Sequence, residues 1–461
     1  MSRKHYHFMG IGGISMSGLA RHYLAEGHRV SGCDAADGNT VGELRAAGIE
    51  VHVGHDPAHL DGVDTLVSTM AVPNTGIPGS VEELAAASEL GIESIKRVDL
   101  LGRLFSERTA IGVTGSHGKS SITGMLATIF VQLADDPSVQ IGANLPLIGG
   151  NMRHGSGPHI VAEVDESDPG FARLKTAIAV MPNLEADHVA GEYTERRNYH
   201  ASLGDLESAV LSFARQADRL ITCRDSEPLE TLLGALPGRL TYGFHADSDY
   251  LLTDLELTAA GSSFIIHAPG GEQSDVTLGV PGVHNAQNAG AALAAAAEAG
   301  LPLAEAAAVL AEYRGVGRRW QLWGELRGAQ IIDDYAVHPT EVTATLAVAR
   351  NTGKRVRAVL QPHRWVRTAL NWRDLSKAAS VADEVLVLDI YGAGEDPIPG
   401  VSSELIVDRL GELGTPAAYH TADSALEYLR ATAAEDDLMI TLGAGDVWRI
   451  AAGLAEQPGP A

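Results

Sequence analysis

The chain is constrained most by an alternation: short β-type runs are followed by alanine- and leucine-rich helical stretches almost from end to end. Parallel strands cannot be joined by tight hairpins and need a crossover of helical length, so this alternation predicts α/β architecture with largely parallel sheets. The first unit reads "HYHFMG", "IGGISMSGLARHYLAEGH", "RVSGCD": strand, glycine loop and helix, strand. A fresh strand and loop begin at "TAIGVTGSHGKSS", once enough chain has passed to complete a small domain. A third change comes at "YRGVGRRWQLWGEL", after which "AQIIDDY", "RVRAVLQPH", "EVLVLDIYG" and "DLMITLGAG" read as buried strands of one more parallel sheet. Three domains are expected, over residues 1–107, 108–314 and 315–461.

Charge narrows the partners. Lys and Arg total 34 against 59 Asp and Glu, a formal charge of -25, which argues against a nucleic-acid or anionic-membrane surface and for a small-molecule partner. The two cysteines, Cys33 and Cys223, have no CxxC spacing and cannot staple 461 residues, so a reducing cytoplasmic setting is expected. No long apolar run suggests a membrane span, and the N-terminus enters a glycine loop rather than a signal-peptide core.

The string "GVTGSHGKSS" falls one position short of the usual phosphate-loop pattern, because Val113 stands where the first glycine belongs. The chemistry asks for backbone N–H groups at a helix N-terminus more than for a fixed loop length. Gly115 and Gly118 allow close approach, Lys119 supplies a charge and Ser120 a hydroxyl for Mg²⁺, within a cradle of residues 115–121. A plain strand-to-helix turn with a surface lysine is the bland alternative. The other loop, "GIGGISMSG", resembles a dinucleotide fingerprint with Asp34 closing the next strand, but Ser15 replaces its third glycine. Nicotinamide, a nucleotide sugar or a structural turn all fit it.

Two acidic clusters follow apolar strands: Glu163, Asp165, Glu166 and Asp168 in "VAEVDESD", then Glu185, Asp187 and His188 in "NLEADH". Strand-end carboxylates beside a phosphate loop are natural ligands for a hard cation, and solvated surface charge is the alternative. "PGVHNAQNAG" places His284, Asn285 and Asn288 at a helix start, where capping by Asn285 explains one residue and nucleotide recognition would explain three. "GVGRRW" and "DDYAVHPTEV" crowd Arg318, Arg319, Asp333, Asp334, Tyr335 and His338 near the second boundary. "QPHRWVRT" sets His363, Arg364 and Arg367 after a buried strand, where two arginines three apart can address one carboxylate or form a surface pair.

In this order the strings "HFMGIGGISMSGLA", "GSHGKS", "AEVDESD", "NLEADH", "GVHNAQN", "GVGRRW", "DDYAVHPTEV", "QPHRWVRT", "GAGEDPIPG" and "LGAGDVW" resemble the Mur ligases of peptidoglycan synthesis over nearly the whole chain. That family's phosphate loop is of the short form, so residue 113 need not be glycine. The resemblance implies a Rossmann-like first domain for UDP-N-acetylmuramate, a central P-loop ATPase domain and a Rossmann-like C-terminal domain that brings L-alanine. It implies a cytoplasmic ligase in which ATP phosphorylates the lactyl carboxylate and the amine attacks the acyl phosphate.

On that resemblance Lys119, Glu163 and His188 are catalytic, and Ser120, Glu163 and His188 hold two Mg²⁺ ions. ATP is met by Gly115, Ser116, His117, Gly118, Lys119, Ser120 and Ser121, with His284, Asn285 and Asn288 towards adenine, Arg319 towards phosphate and Asp334 towards ribose. Gly10, Gly12, Gly13, Asp34, Ser68 and Thr69 face the UDP moiety. Tyr335, His338, His363, Arg364 and Arg367 serve the amino-acid side. The chain departs from the family pattern at Ala190, at Ala336-Val337 and in "IGANLPLIGG". It also has no lysine between Lys175 and Lys354 to be carbamylated as a metal support, which leaves Asp205 or Glu207 as the native acidic substitute. A murein tripeptide recycling ligase, a nicotinamide dehydrogenase and a non-catalytic UDP-sugar binder are the competing readings.

Overall fold

The computed structural model describes residues 3–69, 77–133, 136–193 and 200–455. The chain forms two compact units, one of residues 1–251 with 291–306 and the other of residues 252–290 with 307–461. The larger unit holds two sheets and the other is organised around a third.

The first sheet has five parallel strands in the order Glu50–Val53, Arg29–Asp34, His5–Met9, Thr65–Ser68, Glu93–Lys96. Chain direction across the sheet reverses between His5–Met9 and Thr65–Ser68, which opens a crevice beyond their carboxyl ends. The helix Ile14–Ala25 buries Met16, Leu19, Ala20 and Tyr23, an i, i+3, i+4, i+7 stripe that packs with Phe8 and Val30 in the core. It stops at Gly27, whose φ of 88° supplies the left-handed residue that follows many helices.

The second sheet is built on Thr109–Val113, flanked by His159–Glu163 on one side and Ile178–Met181 on the other, all parallel. Ser138–Leu145 and the antiparallel Gly150–Arg153 extend one edge, Arg219–Cys223 and Arg239–Gly243 the other. The helix Lys119–Gln132 is buried around nearly its whole circumference, consistent with a sequence that carries no charge after Lys119.

In the other unit, Ser262–His267 and Gln273–Leu278 form an antiparallel hairpin. The third sheet runs Gln321–Leu326, Ala329–Asp334, Asp437–Leu442, Arg355–Leu360, Glu384–Val387, Ala417–Tyr419, parallel except for its first pair. Asp334, Leu360 and Leu442 therefore end side by side. Among the described residues no helix is long and apolar enough to cross a membrane.

Candidate active site

The loop after Thr109–Val113 is held from below by the segment after Ile178–Met181. Asn183 Oδ1 accepts from His117 N at 2.8 Å, its Nδ2 donates to His117 O at 3.1 Å, and Ser116 Oγ accepts from Glu185 N at 2.8 Å. Gly115 has φ of 140°, and a Cβ there would lie 2.8 Å from the Asn183 carbonyl oxygen, so no other residue fits without moving the loop. Gly118, also in left-handed backbone at φ 84°, precedes the helix Lys119–Gln132 and leaves its first N–H groups facing the loop.

Lys119 bends back over this cradle. Its Nζ donates to Gly115 O at 2.6 Å and Ser116 O at 3.1 Å, and lies 2.8 Å from Glu166 Oε2. Burial pushes the Glu166 carboxyl up to about 7 against the pull of Lys119, while the surrounding carboxylates raise the lysine despite its own burial. Ser120 Oγ donates to Glu163 Oε2 at 2.8 Å, and Gly142 N donates to the same oxygen at 2.8 Å. A Cβ at Gly142 would sit 2.6 Å from Glu163 Oε1, so glycine leaves that carboxylate its place.

His188, in left-handed backbone at φ 56°, brings Nε2 to 3.8 Å from Glu166 Oε1 and 3.6 Å from Asp187 Oδ2. Of the first acidic cluster, Glu163 and Glu166 serve this locus. Asp165 accepts from Ser167 N and Oγ, and Asp168 caps the turn Pro169–Arg173 through Gly170 N, so these two order the backbone. Asp205 is exposed and bonded to Ser202 at the start of the helix Leu203–Gln216; the carboxylates beside His188 are Glu166 and Asp187.

The glycine loop of the first sheet occupies the reversal crevice. Gly10 N and Ile11 N both donate to Cys33 O, and Gly12 N donates to Asp34 Oδ2 at 2.8 Å. The other Asp34 oxygen accepts from Ala36 N, so Asp34 braces the loop with both oxygens. Gly13 precedes the helix Ile14–Ala25, across from Ser68 and Thr69 at the end of the neighbouring strand. Lys96, which the sequence reading passed over, donates to Ser68 Oγ at 3.3 Å and brings a cation to the crevice. The residues from Met70 in "STMAVP" lie outside the described ones.

In the other unit, Asn285 lies inside the first turn of Val283–Glu298 and donates to Pro281 O, so the expected capping role is not the one it takes. His284 is held down to about 4 by burial and then by the charge of Arg319, against Glu341. Asn288 is buried one turn on from His284. Asp334 is raised to about 6 by burial although Arg319 opposes it, and it accepts from Trp320 N and Ala336 N. Arg318 is tied to Asp333 and to the carbonyls of Gly443, Ala444 and Gly445, which leaves Arg319, 3.4 Å from Glu341, as the neighbour of His284 and Asp334. Tyr335, exposed, lies under both guanidinium groups. His338 caps the helix Pro339–Asn351 in a reciprocal box with Glu341.

Beyond Arg355–Leu360, His363 stacks on Tyr391 and its Nδ1 is 3.0 Å from Arg367 Nη1. Arg364 pairs with Glu395 at 3.3 Å, and Glu395 also accepts from Val366 N. Glu395 comes from "GAGEDPIPG", whose two acidic residues gave no sign in sequence of which helix they would meet.

Three family models match in succession: the Mur ligase family catalytic domain over residues 5–109, the Mur ligase middle domain over 113–296, and the Mur ligase glutamate ligase domain over 318–445. A UDP-N-acetylmuramate--L-alanine ligase of Deinococcus radiodurans is 42% identical over 454 residues, covering 97% of this chain and 92% of the relative. One of the same name from Acidothermus cellulolyticus is 39% identical, covering 95% and 91%. The crystal structure of a UDP-N-acetylmuramate-alanine ligase from Thermotoga maritima superposes with a TM-score of 0.82 at 27% identity, with 99% of each chain covered. A murein peptide ligase from Psychrobacter arcticus has the same fold, with a TM-score of 0.72 at 22% identity over 99% of this chain and 100% of that one.

Proposed function

The chain belongs to the Mur ligase family, and from that premise we propose that it is an ATP-dependent ligase joining L-alanine to the lactyl carboxylate of UDP-N-acetylmuramate. The observation that carries the reading is the convergence of Lys119, Ser120, Glu163, Glu166 and His188 on one phosphate loop.

The γ-phosphoryl group of ATP passes to a carboxylate oxygen of the sugar nucleotide, giving ADP and an acyl phosphate. The alanine amine attacks the acyl carbon, loses a proton, and expels phosphate to leave the amide. The loop N–H groups and Lys119 hold negative charge on the moving phosphoryl group, which is electrostatic work by preorganised donors. Glu166 positions Lys119, and His188 stands next to Glu166 where the acyl oxygen would be received.

Magnesium suits this donor set, because the Ser120 hydroxyl and the Glu163 carboxylate are hard oxygen donors and the buried Glu166 oxygens, apart from the Lys119 ion pair, make no hydrogen bond among the described residues. Ser120 and Glu163 would hold one ion and His188 a second, and when bound they would offset charge on phosphate and acyl oxygens. Gly10, Gly12 and Gly13, with Lys96 and Ser68 opposite, would take the diphosphate of the sugar nucleotide at a helix N-terminus. In the other unit His284, Asn285, Asn288, Arg319 and Asp334 would meet adenosine and its phosphates, and Arg364 and Arg367 the alanine carboxylate.

A recycling ligase shares the phosphate loop but accepts a tripeptide. L-alanine is favoured because relatives at 34–42% identity carry the alanine-adding name and this chain reads "QPHR" where the recycling ligase has a Glu-Pro-Arg string. ADP release measured with UDP-N-acetylmuramate plus L-alanine, against the same nucleotide plus tripeptide, tests the assignment. Turnover with tripeptide alone would reverse it.

A further inference from the structure

We propose that His7, Cys33, His59 and Glu83 form a transition-metal site, of the class that takes zinc, beneath the glycine loop of the first sheet. Central strands of a parallel sheet are normally apolar on both faces. Here His5 and His7, with Ser31 and Cys33 on the adjacent strand, line one face, while Tyr6, Phe8 and Val30 supply the core on the other. Over the polar face the helix Ser80–Glu89 sets Glu83, whose side chain is wholly buried.

The separations from Glu83 Oε1 are those of ligands sharing one ion. His7 Nε2 is 3.2 Å and His59 Nδ1 3.3 Å from Glu83 Oε1, and Cys33 Sγ is 3.6 Å from the same oxygen. One ligand atom from each of the four residues lies within 4.8 Å of all the others. Zn–N and Zn–O bonds of about 2.0–2.1 Å and Zn–S of about 2.3 Å give tetrahedral edges of roughly 3.3–3.6 Å. The donor set of two imidazoles, a thiolate and a carboxylate is one that zinc accepts. His7 Nε2 and His59 Nδ1 are buried, and the partner that each shows among the described residues is the Glu83 carboxylate.

The surroundings orient these groups as outer partners orient metal ligands. His7 Nδ1 is 2.8 Å from Ser31 Oγ, which turns Nε2 inward. His59 stacks on His52 with ring centroids 4.1 Å apart, and the second oxygen of Glu83 is 2.8 Å from His55 Nδ1. The His59 side chain retains 14% exposure, which gives an ion its way in. Because Cys33 O receives Gly10 N and Ile11 N, an ion here would also stiffen the loop proposed for the sugar nucleotide.

The test uses the full chain, purified without chelators and assayed for metal by mass spectrometry, then stripped and titrated with Co²⁺. The expected result is about one zinc per chain. Cobalt should give tetrahedral visible bands and a thiolate charge-transfer band that Cys33→Ser abolishes and Cys223→Ser leaves intact. A stripped wild-type chain that stays folded by circular dichroism but shows no stoichiometric Co²⁺ binding overturns the proposal, as does a thiolate band lost in Cys223→Ser. The group His22, Glu26 and His154 contains no sulfur and cannot produce that band.

Discussion

Lys119 Nζ lies 2.8 Å from Glu166 Oε2, so the lysine of the glycine loop after Thr109–Val113 is aimed by a buried carboxylate three positions beyond Glu163, the last residue of its strand. Glu166→Gln keeps the shape and removes the charge that aims the lysine. We expect kcat to fall by roughly 10²-fold, the scale for losing one preorganised electrostatic contact, with the Kd for UDP-N-acetylmuramate unchanged. Steady-state ADP release and calorimetry measure the two, and an unchanged kcat would reduce Glu166 to a structural acid.

Lys119→Ala should abolish ATP-dependent turnover and leave sugar-nucleotide binding intact, because the glycine loop of the first sheet is braced by Cys33 and Asp34 and not by the phosphate loop. Loss of calorimetric binding in a folded variant would contradict the assignment of these two loops.

Arg367→Ala and Arg364→Ala should each raise KM for alanine by about ten- to a hundredfold while KM for ATP stays constant, since a hydrogen bond to a charged group is worth roughly 1.5–3 kcal/mol. Arg364 already pairs with Glu395, so Glu395→Gln should also raise KM for alanine, by freeing the guanidinium from its present place. Equal KM values in all three variants would return the arginines to a structural role.

His284 gives a pH dependence with a definite sign. Its folded value of about 4 lies below its ordinary 6.5, so between these limits the unfolded chain binds the proton and the folded chain does not. Stability should be lost as pH falls from 6.5 towards 4 and should change no further below that. A pKa unit is worth about 1.4 kcal/mol, so a shift from 6.5 to about 4 makes the loss of order 3 kcal/mol. Urea midpoints of wild type and His284→Asn across that range should converge at acid pH.

Activity should be independent of bicarbonate. There is no lysine between Lys175 and Lys354 to carbamylate, and Glu166 already supplies a native carboxylate 3.8 Å from His188. Assay in CO₂-stripped buffer, followed by added bicarbonate, should give one rate; a large reversible rise would require a carbamylated group.

The alternation of strands and helices and the two glycine loops that lead into helices were legible in sequence because each rests on local chemistry. A parallel strand announces itself by apolar composition, and a loop at a helix N-terminus by the glycines it needs. What linear order could not supply was the choice among equivalent groups. Four carboxylates stand at or beyond one strand end, yet Glu163 and Glu166 are the ones bonded to Ser120 and Lys119, while Asp165 and Asp168 accept turn hydrogen bonds and face Arg97. Asn285 reads as a cap until the helix is seen to begin two residues earlier. Glu83 and His7, 76 positions apart by number, meet only because strand order and helix packing bring them to one face. Sequence by itself determined which segments become strands, helices and the glycine turns that lead into helices, since backbone preference and hydrophobic period act over a few residues. Tertiary structure alone decided which charged side chains are buried together, because desolvation and charge pairing depend on distances through space that strand order sets.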